Sequence, residues 1–418
     1  MMRRVAITGL GVVSAAGIGQ APCFDALLAA RSGLRAVQVP FPTGPENVVL
    51  GPVLLDETST DPTRHISKAR LMTMDRVSHL ALMAGREAMA QAGLAANAHD
   101  GDARDRFGVF MGTGSGGAGS TDSAYTALLE QKASRLRPMT VVLSMSNAVA
   151  AHLSIEFGLH GPSNTISNAC ASSATAIGEA FRQIRHGYAD VMLAGGSEAL
   201  LNRGTIKAWQ AMNTLAKLHP DGAQASCRPF SRDRSGLVLA EGAAVVVLED
   251  WDHAVKRGAP ILAELAGYAA TSDAHHLTQP EASGQARAMR LALADAQLNT
   301  TDIGYLNAHG TATDVGDVVE TQAIRSAFGT GADDLPISST KAVHGHAMGA
   351  AGAMEFVAAV MALRSHSLPP TAFLTEPDPR CDLDYIALQA RTTPGLHAVM
   401  SNSFAFGGSN AVLVAKKA

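Results

Sequence analysis

The sequence predicts a duplicated α/β fold, and three observations carry that reading. Short β-branched runs alternate with longer helical patterns, the mark of a mostly parallel sheet covered by helices. The 418 residues are 47% hydrophobic and only 17% charged, with 40 glycines, which suits a large buried core joined by tight turns. The two halves also echo one another. Each holds a strand, a sharp small-residue turn bearing a reactive side chain, a helix and another strand, and each closes on an apolar strand, AAVVVLE and then NAVLVAK.

The first strand expected is Val5–Gly9, within VAITGLGVVSAAG. This run follows Arg3 and Arg4 as in a signal peptide, but it is short and broken by Gly9 and Gly11. It therefore reads as a buried strand entering a glycine turn. Further strands are expected at Phe107–Met111, Asp190–Ala194, Ala243–Leu248, Ile261–Gly267, Ile303–Asn307, Ile337–Ser339, His397–Ser401 and Ala411–Ala415. Helices are expected at Met74–Ala92, Ser144–Phe157, Ala171–His186, Gly284–Ala296, Val318–Phe328 and Ala350–Arg364. No 20–50-residue repeat is visible, which argues against a solenoid. The halves are residues 1–253 and 254–418, joined near Trp251–Ala259. Segments 31–66 and 115–145 lack clean periodicity and read as insertions or cap loops.

Several function classes drop out. The net charge is −4, and no basic run, zinc spacing or aromatic-studded basic strand points to nucleic acid. Four scattered cysteines without a CxxC pair form neither a disulfide framework nor a metal cluster, and they fit a reducing, cytoplasmic setting. The run Ala350–Leu363 carries Glu355 and is too short to span a bilayer.

Four small-residue turns carry candidate chemistry. Cys170, in SNACASS, opens a helix, where unpaired N–H groups and the macrodipole favour thiolate and predict a depressed pKa. A buried apolar cysteine is the structural alternative. His309, in NAHGTAT, follows the strand Ile303–Asn307, at the strand end where such sheets bind ligands; a structural histidine is the alternative. His346 lies in the run Ser338-Ser339-Thr340-Lys341, His344-Gly345-His346, Gly349-Ala350-Ala351-Gly352. There His344, His346 and Asp317 raise a zinc reading, weakened because no further ligand stands at metal spacing. Lys341 reads either as a solvated charge or as a buried, paired one. The fourth turn, SNSFAFGGSN, places Phe404 and Phe406 beside Gly407 and Gly408, either as a hinge or as an ordinary hairpin.

The motifs NACASSATAIGEA, NAHGTATDVGDVVE, STKAVHGHAMGAAGAMEF and SNSFAFGGSN resemble those of the elongating β-ketoacyl-acyl-carrier-protein synthases of the thiolase superfamily, over essentially the whole chain. The resemblance implies a five-layered αβαβα thiolase-like fold, a dimer, and an acyltransferase that makes 3-oxoacyl-acyl-carrier protein by decarboxylating Claisen condensation. It makes Cys170 the nucleophile, His309 and His346 the donors to the malonyl thioester carbonyl, and Lys341 and Glu355 supporting charges. Phe406 matches a gating ring whose backbone N–H joins that of Cys170 in an oxyanion hole. Thr311, Thr313, His276 and Thr278 match positions lining the pantetheine tunnel. The implied partners are acyl and malonyl thioesters carried on acyl carrier protein. No metal or external cofactor is implied, because release of carbon dioxide drives the step.

Departures from the family point to a specialised polyene or polyketide pathway as the alternative, including the active subunit of a heterodimer with a chain-length factor. Asp314 replaces a proline, His344 a threonine and Ala405 a glycine beside the gate. Ungapped counting places Ser115 and Thr140 at the tunnel floor, where long-chain enzymes carry bulky apolar groups. Met72 and Thr73 stand where carrier-docking bases are usual, leaving Lys68, Arg70, Arg135, Arg137, Arg203 and Lys207 as candidates. A thiolase would need a second cysteine in FAFGGSN, a chain-length factor would lack Cys170, and a cysteine hydrolase would need an Asp or Asn orienting one histidine, for which no motif stands out.

Overall fold

A computed structural model describes residues 2–55, 65–94 and 101–418. Ten core strands are β1 (Val5–Ser14), β2 (Phe107–Gly112), β3 (Ser163–Ile166), β4 (Val191–Glu198), β5 (Gly242–Asp250), β6 (Ala263–Ser272), β7 (Ile303–Asn307), β8 (Ile337–Ser338), β9 (Ala398–Ala405) and β10 (Ser409–Lys416). Six long helices are α1 (Arg76–Gln91), α2 (Ala148–Phe157), α3 (Ser172–Arg185), α4 (Ala282–Ala296), α5 (Asp314–Phe328) and α6 (Ala351–Ser365).

Strand order is β3-β2-β4-β5-β1 in the first half and β8-β7-β9-β10-β6 in the second, so one topology occurs twice. The halves meet where Val5–Ile7 of β1 pairs with Ala263–Leu265 of β6. Helices α3 and α6 pack on each other and on strands of both halves, forming the central layer. Helices α1 and α2 cover the outer face of one half, and α4 and α5 that of the other. The result is the expected αβαβα stack. Adding a Cβ to Gly352 of α6 would bring it to 2.9 Å from the Ala174 Cβ of α3, so the central helices approach closely because that position is glycine.

The sheet is mixed rather than mostly parallel. Pairs β2–β3, β2–β4, β7–β8 and β7–β9 are parallel, while β1–β5, β4–β5, β9–β10, β6–β10 and β1–β6 are antiparallel. Strand β1 also makes no turn at its glycines. It continues to Ser14, because a Cβ at Gly9 or Gly11 would lie 2.1 or 1.9 Å from the carbonyl oxygens of Ala88 and Ala84, and α1 rests directly on the bare strand.

Segment 31–66 holds a hairpin, Arg35–Phe41 with Gly44–Leu50; its residues 56–64 lie outside the described ones. Segment 115–145 holds short helices at Ala118–Tyr125 and Thr140–Ser144. One stretch, Met348–Ser365, is apolar and long enough to cross a membrane, and 83% of it is buried inside the protein as the core helix.

Candidate active site

Cys170 sits in a single turn, Ala169–Ala171, that leads into α3. Ala169 takes φ 51°, a left-handed kink held by hydrogen bonds from Ser172 Oγ to the Ala169 carbonyl (2.6 Å) and from Asn168 N to Ser172 Oγ (3.0 Å). His309 follows β7. Its N–H and that of Gly310 donate to the two oxygens of Glu320 at 2.8 and 2.7 Å, so one buried carboxylate fixes the turn. His346 is held through its own backbone: its N–H donates to the Val238 carbonyl (2.8 Å) and its carbonyl accepts from Ala240 N (3.0 Å).

The three reactive groups converge. His346 Nε2 lies 3.1 Å from Cys170 Sγ, the two imidazole centroids are 5.4 Å apart, and the potential ligand atoms of all three residues lie within 4.8 Å of one another. Burial, then the Lys341 charge, holds both histidines well below the ordinary imidazole range, so both are neutral. The tautomers follow from their partners. Met348 N donates to His346 Nδ1 at 3.2 Å, so the proton of that ring is on Nε2, facing the sulfur. Lys341 Nζ lies 3.4 Å from His309 Nδ1 and donates to the His309 carbonyl at 2.5 Å, which likewise leaves the His309 proton on Nε2. Lys341 is fully buried and paired with Glu355, which settles it as a buried charge. Burial pushes Glu355 up to about 7 against the pull of Lys341.

The thiol corrects a sequence expectation. The helix start predicts a depressed pKa, but burial pushes the Cys170 thiol up to about 12, with Lys341 pulling the other way. Burial of the sulfur outweighs the helix-end field.

A cavity of ≈ 470 Å³ reaches this centre, lined by Cys170, His309, His346 and Phe404 at its inner end and by Thr311, Thr313 and Phe406 on its walls. His276 and Thr278 also line it, exposed on the loop that follows β6. Lys341 and Glu355 stand behind the histidines, off the cavity surface. Ser115 and Thr140 are not at its floor. Ser115 is exposed because Glu198 takes the backbone N–H groups of Gly114 (2.6 Å) and Ser115 (3.3 Å) and turns the side chain outward. Thr140 is spent at a helix start, donating to the Arg137 carbonyl at 2.7 Å.

The zinc set read from sequence does not assemble. His344 turns its nitrogens to the Gly345 carbonyl (2.7 Å) and Thr340 Oγ1 (3.0 Å). Asp317 accepts from Phe230 N (2.7 Å) and Ala312 N (3.1 Å). Asp314 fits at the first residue of α5, where a carboxylate meets the helix N-terminus, and it accepts from Arg380 Nη2 at 2.7 Å. Among the docking candidates, Arg70 pairs with Glu156, Arg203 with Glu130 and Lys207 with Glu46. Lys68, Arg135 and Arg137 are exposed and make no ion pair among the described residues.

Sequence reasoning missed Glu198, Glu320 and Trp209. A carboxylate closing the apolar strand VMLAGGSE is a usable signal, since a buried acid requires donors. Trp209, which lines the cavity, lies on an amphipathic helix with no motif around it.

A nucleophile at a helix start, facing two neutral imidazole donors on a duplicated αβαβα frame, defines a thiolase-like acyl-transferring enzyme. Residues 2–254 match the family model described as beta-ketoacyl synthase, N-terminal domain, and residues 262–375 its C-terminal domain. The chain belongs to the beta-ketoacyl synthase family and is a condensing enzyme. It is 44% identical to nodulation protein E of Rhizobium meliloti (strain 1021) over 417 residues, covering 100% of both chains. It is 38% identical to 3-oxoacyl-[acyl-carrier-protein] synthase 2 of Staphylococcus aureus (strain COL), covering 99% of this chain and 98% of that one. A solved structure of a type II PKS acyl-carrier protein in complex with its ketosynthase bound to the hexaketide, AntDE:AntF, superposes with a TM-score of 0.89 at 32% identity, over 100% of both chains.

Proposed function

We propose that this enzyme condenses an acyl group held on Cys170 with a malonyl thioester, both delivered on the phosphopantetheine arm of an acyl carrier protein. The carrying observation is that both imidazoles have Nδ1 facing a donor, Lys341 or Met348 N, while their ligand atoms and the Cys170 sulfur lie within 4.8 Å of one another, an arrangement that leaves each Nε2 to donate. Cys170 Sγ attacks the acyl thioester; the thioester C–S bond breaks, and the departing pantetheine thiol takes the proton that Cys170 gives up. In the second stage the bond from the malonyl C2 to its carboxylate breaks. Carbon dioxide leaves, and the electron pair becomes an enolate whose oxygen accepts from His309 and His346. That carbon attacks the Cys170 acyl group, whose oxyanion rests on the backbone N–H groups of Cys170 and Phe406; as the carbonyl re-forms the C–S bond breaks, and the departing thiolate takes a proton from water to restore the thiol. Loss of carbon dioxide supplies the carbanion, so the reaction calls for no metal or external cofactor. Thr311, Thr313, His276 and Thr278 guide the arm, and the free bases Lys68, Arg135 and Arg137 meet the acidic carrier.

The working form is a dimer in the cytoplasm, consistent with four free, buried thiols. A specialised rather than housekeeping pathway is favoured by 44% identity to nodulation protein E against 38% to the synthase 2 relative, and by a docking face with few free bases. Incubation with acyl-carrier proteins should add one acyl mass to Cys170. His309→Ala should keep that adduct while losing malonyl decarboxylation at least a hundredfold. Decarboxylation at the wild-type rate in that variant would refute the assignment.

A further inference from the structure

We propose that Trp209 is a positioning residue for the gate: its indole holds the Phe406 ring over the cavity until an acyl chain enters beside Cys170. The inference rests on the acyl-enzyme reading above. The rings of Trp209 and Phe406 stack with centroids 5.9 Å apart and planes at 19°, and both line the cavity that Cys170 faces. Phe406 is 37% exposed, so its position depends on this stack rather than on enclosure by core.

The two rings belong to supports of different stiffness. Trp209 rides on the helix Arg203–Ala211, which is pinned on several sides. Asn202 caps it through Thr205 N (3.0 Å), Arg203 meets Glu130 (3.1 Å), Gly204 N meets Asp122 (3.1 Å), and Lys207 meets Glu46 (2.6 Å). Phe406 instead opens the turn Phe406–Gly408, where Gly407 and Gly408 have φ 82° and 71°. A Cβ at Gly407 would meet nothing within 4 Å, whereas one at Gly408 would lie 2.8 Å from the Asp273 Cβ, so the open space lies at Gly407. On its upstream side Ala405 is extended (φ −128°, ψ 155°), a conformation alanine holds without strain, whereas positive φ is disfavoured for it. The hinge therefore lies at Gly407, and the ring swings against a fixed indole.

What displaces it is also in place. Trp209 and Ala405 pack on a small apolar cluster containing Cys170, Leu200, Ile206, Leu237, Leu239 and Met348. An acyl chain on Cys170 has to enter among these side chains, and so disturbs the surface on which the indole and the gate rest. The downstream side of the turn is tied to the cavity loop by Gly407 N to the Leu277 carbonyl (2.7 Å) and Asp273 N to the Gly408 carbonyl (2.8 Å), so gate and loop respond together.

The chain has two tryptophans, and Trp251 is not part of the cavity lining but is stacked under Arg4. In a Trp251→Phe background Trp209 is the sole indole. Acylation of Cys170 by octanoyl thioester, followed by intact mass, should change its emission intensity by at least a fifth, with a smaller change for an acetyl group. Trp209→Ala should raise the rate of octanoyl transfer to Cys170 severalfold, while Trp209→Phe, which keeps a stacking ring, stays near wild type. A complete octanoyl adduct with unchanged emission, or equal transfer rates for the Ala and Phe variants, overturns the gate role alone. Failure to form any adduct overturns the acyl-enzyme reading with it.

Discussion

At Cys170 two physical effects oppose each other, and their balance is measurable. The start of α3 favours thiolate through its unpaired N–H groups, whereas full burial favours the thiol and pushes the group up to about 12. In the empty enzyme burial prevails, so the resting form is the thiol and His346 Nε2–H waits for charge that appears only on reaction. Below its pKa the thiolate fraction grows about tenfold per pH unit. Iodoacetamide should therefore alkylate Cys170 with a rate that keeps rising from pH 7 to pH 9. A rate that levels off below pH 8 would show that the helix-end field outweighs burial after all. The three reactive residues were legible in sequence because each stands in a local pattern, a small-residue turn beside a strand end or helix start. The thiol's protonation was not, because burial is set by distant segments such as Leu237, Leu239 and Met348, which close over the sulfur only when folded.

At the level of elements, two surfaces are unfinished in a single chain. Strand β3 closes the first half of the sheet, and its pattern runs from exposed to half-buried with one edge unpaired among the described residues. Segment 115–145 exposes Tyr125 (61%), Leu129 (72%) and Val141 (70%), side chains that water penalises unless a second surface covers them. A two-fold partner, as proposed above, would satisfy both demands at once. The double variant Leu129→Glu with Val141→Glu should then sediment as a monomer at micromolar concentration; a dimer of unchanged stability would place the interface elsewhere. Elements were unevenly readable. Helices α1, α3, α4 and α6 follow their predicted spans closely because apolar periodicity and flanking turns mark them. Strand direction was not readable: β1, β5, β9 and β10 are apolar and buried on both faces, and such runs look alike whether their neighbours are parallel or antiparallel. Ser115 and Thr140 do not line the cavity of the single chain, since counting along a chain fixes a position but not the side on which its side chain emerges.

Across the whole molecule, the site imposes a pH profile on stability. Burial holds His79 down to about 4 and His344 to about 3, and lowers His309 and His346 well below the ordinary range. Each is neutral when folded and protonated when unfolded below about pH 6.5, so its contribution to stability is lost as pH falls. Burial raises Glu198, Asp317 and Glu355 to about 7 and lifts Glu320 as well. Glu198, Asp317 and Glu355 hold protons in the folded state that the unfolded chain releases above about 4.5, so their contribution is present at low pH and is lost as pH rises toward 7. Between about pH 5 and 6.5 the two sets have opposite slopes and largely offset. Below about 4.5 the carboxyls are protonated in both states and stop contributing to the slope. The histidines continue, each at about 1.4 kcal/mol per pH unit, until the folded rings themselves take protons. Thermal unfolding should therefore show a midpoint that changes little from pH 6.5 to 5 and drops steeply below pH 4.5. A steady fall beginning at pH 6.5 would mean that Glu198, Asp317 and Glu355 are ionised in the folded protein, and that Glu198 holds its turn as a full charge rather than as a protonated acid.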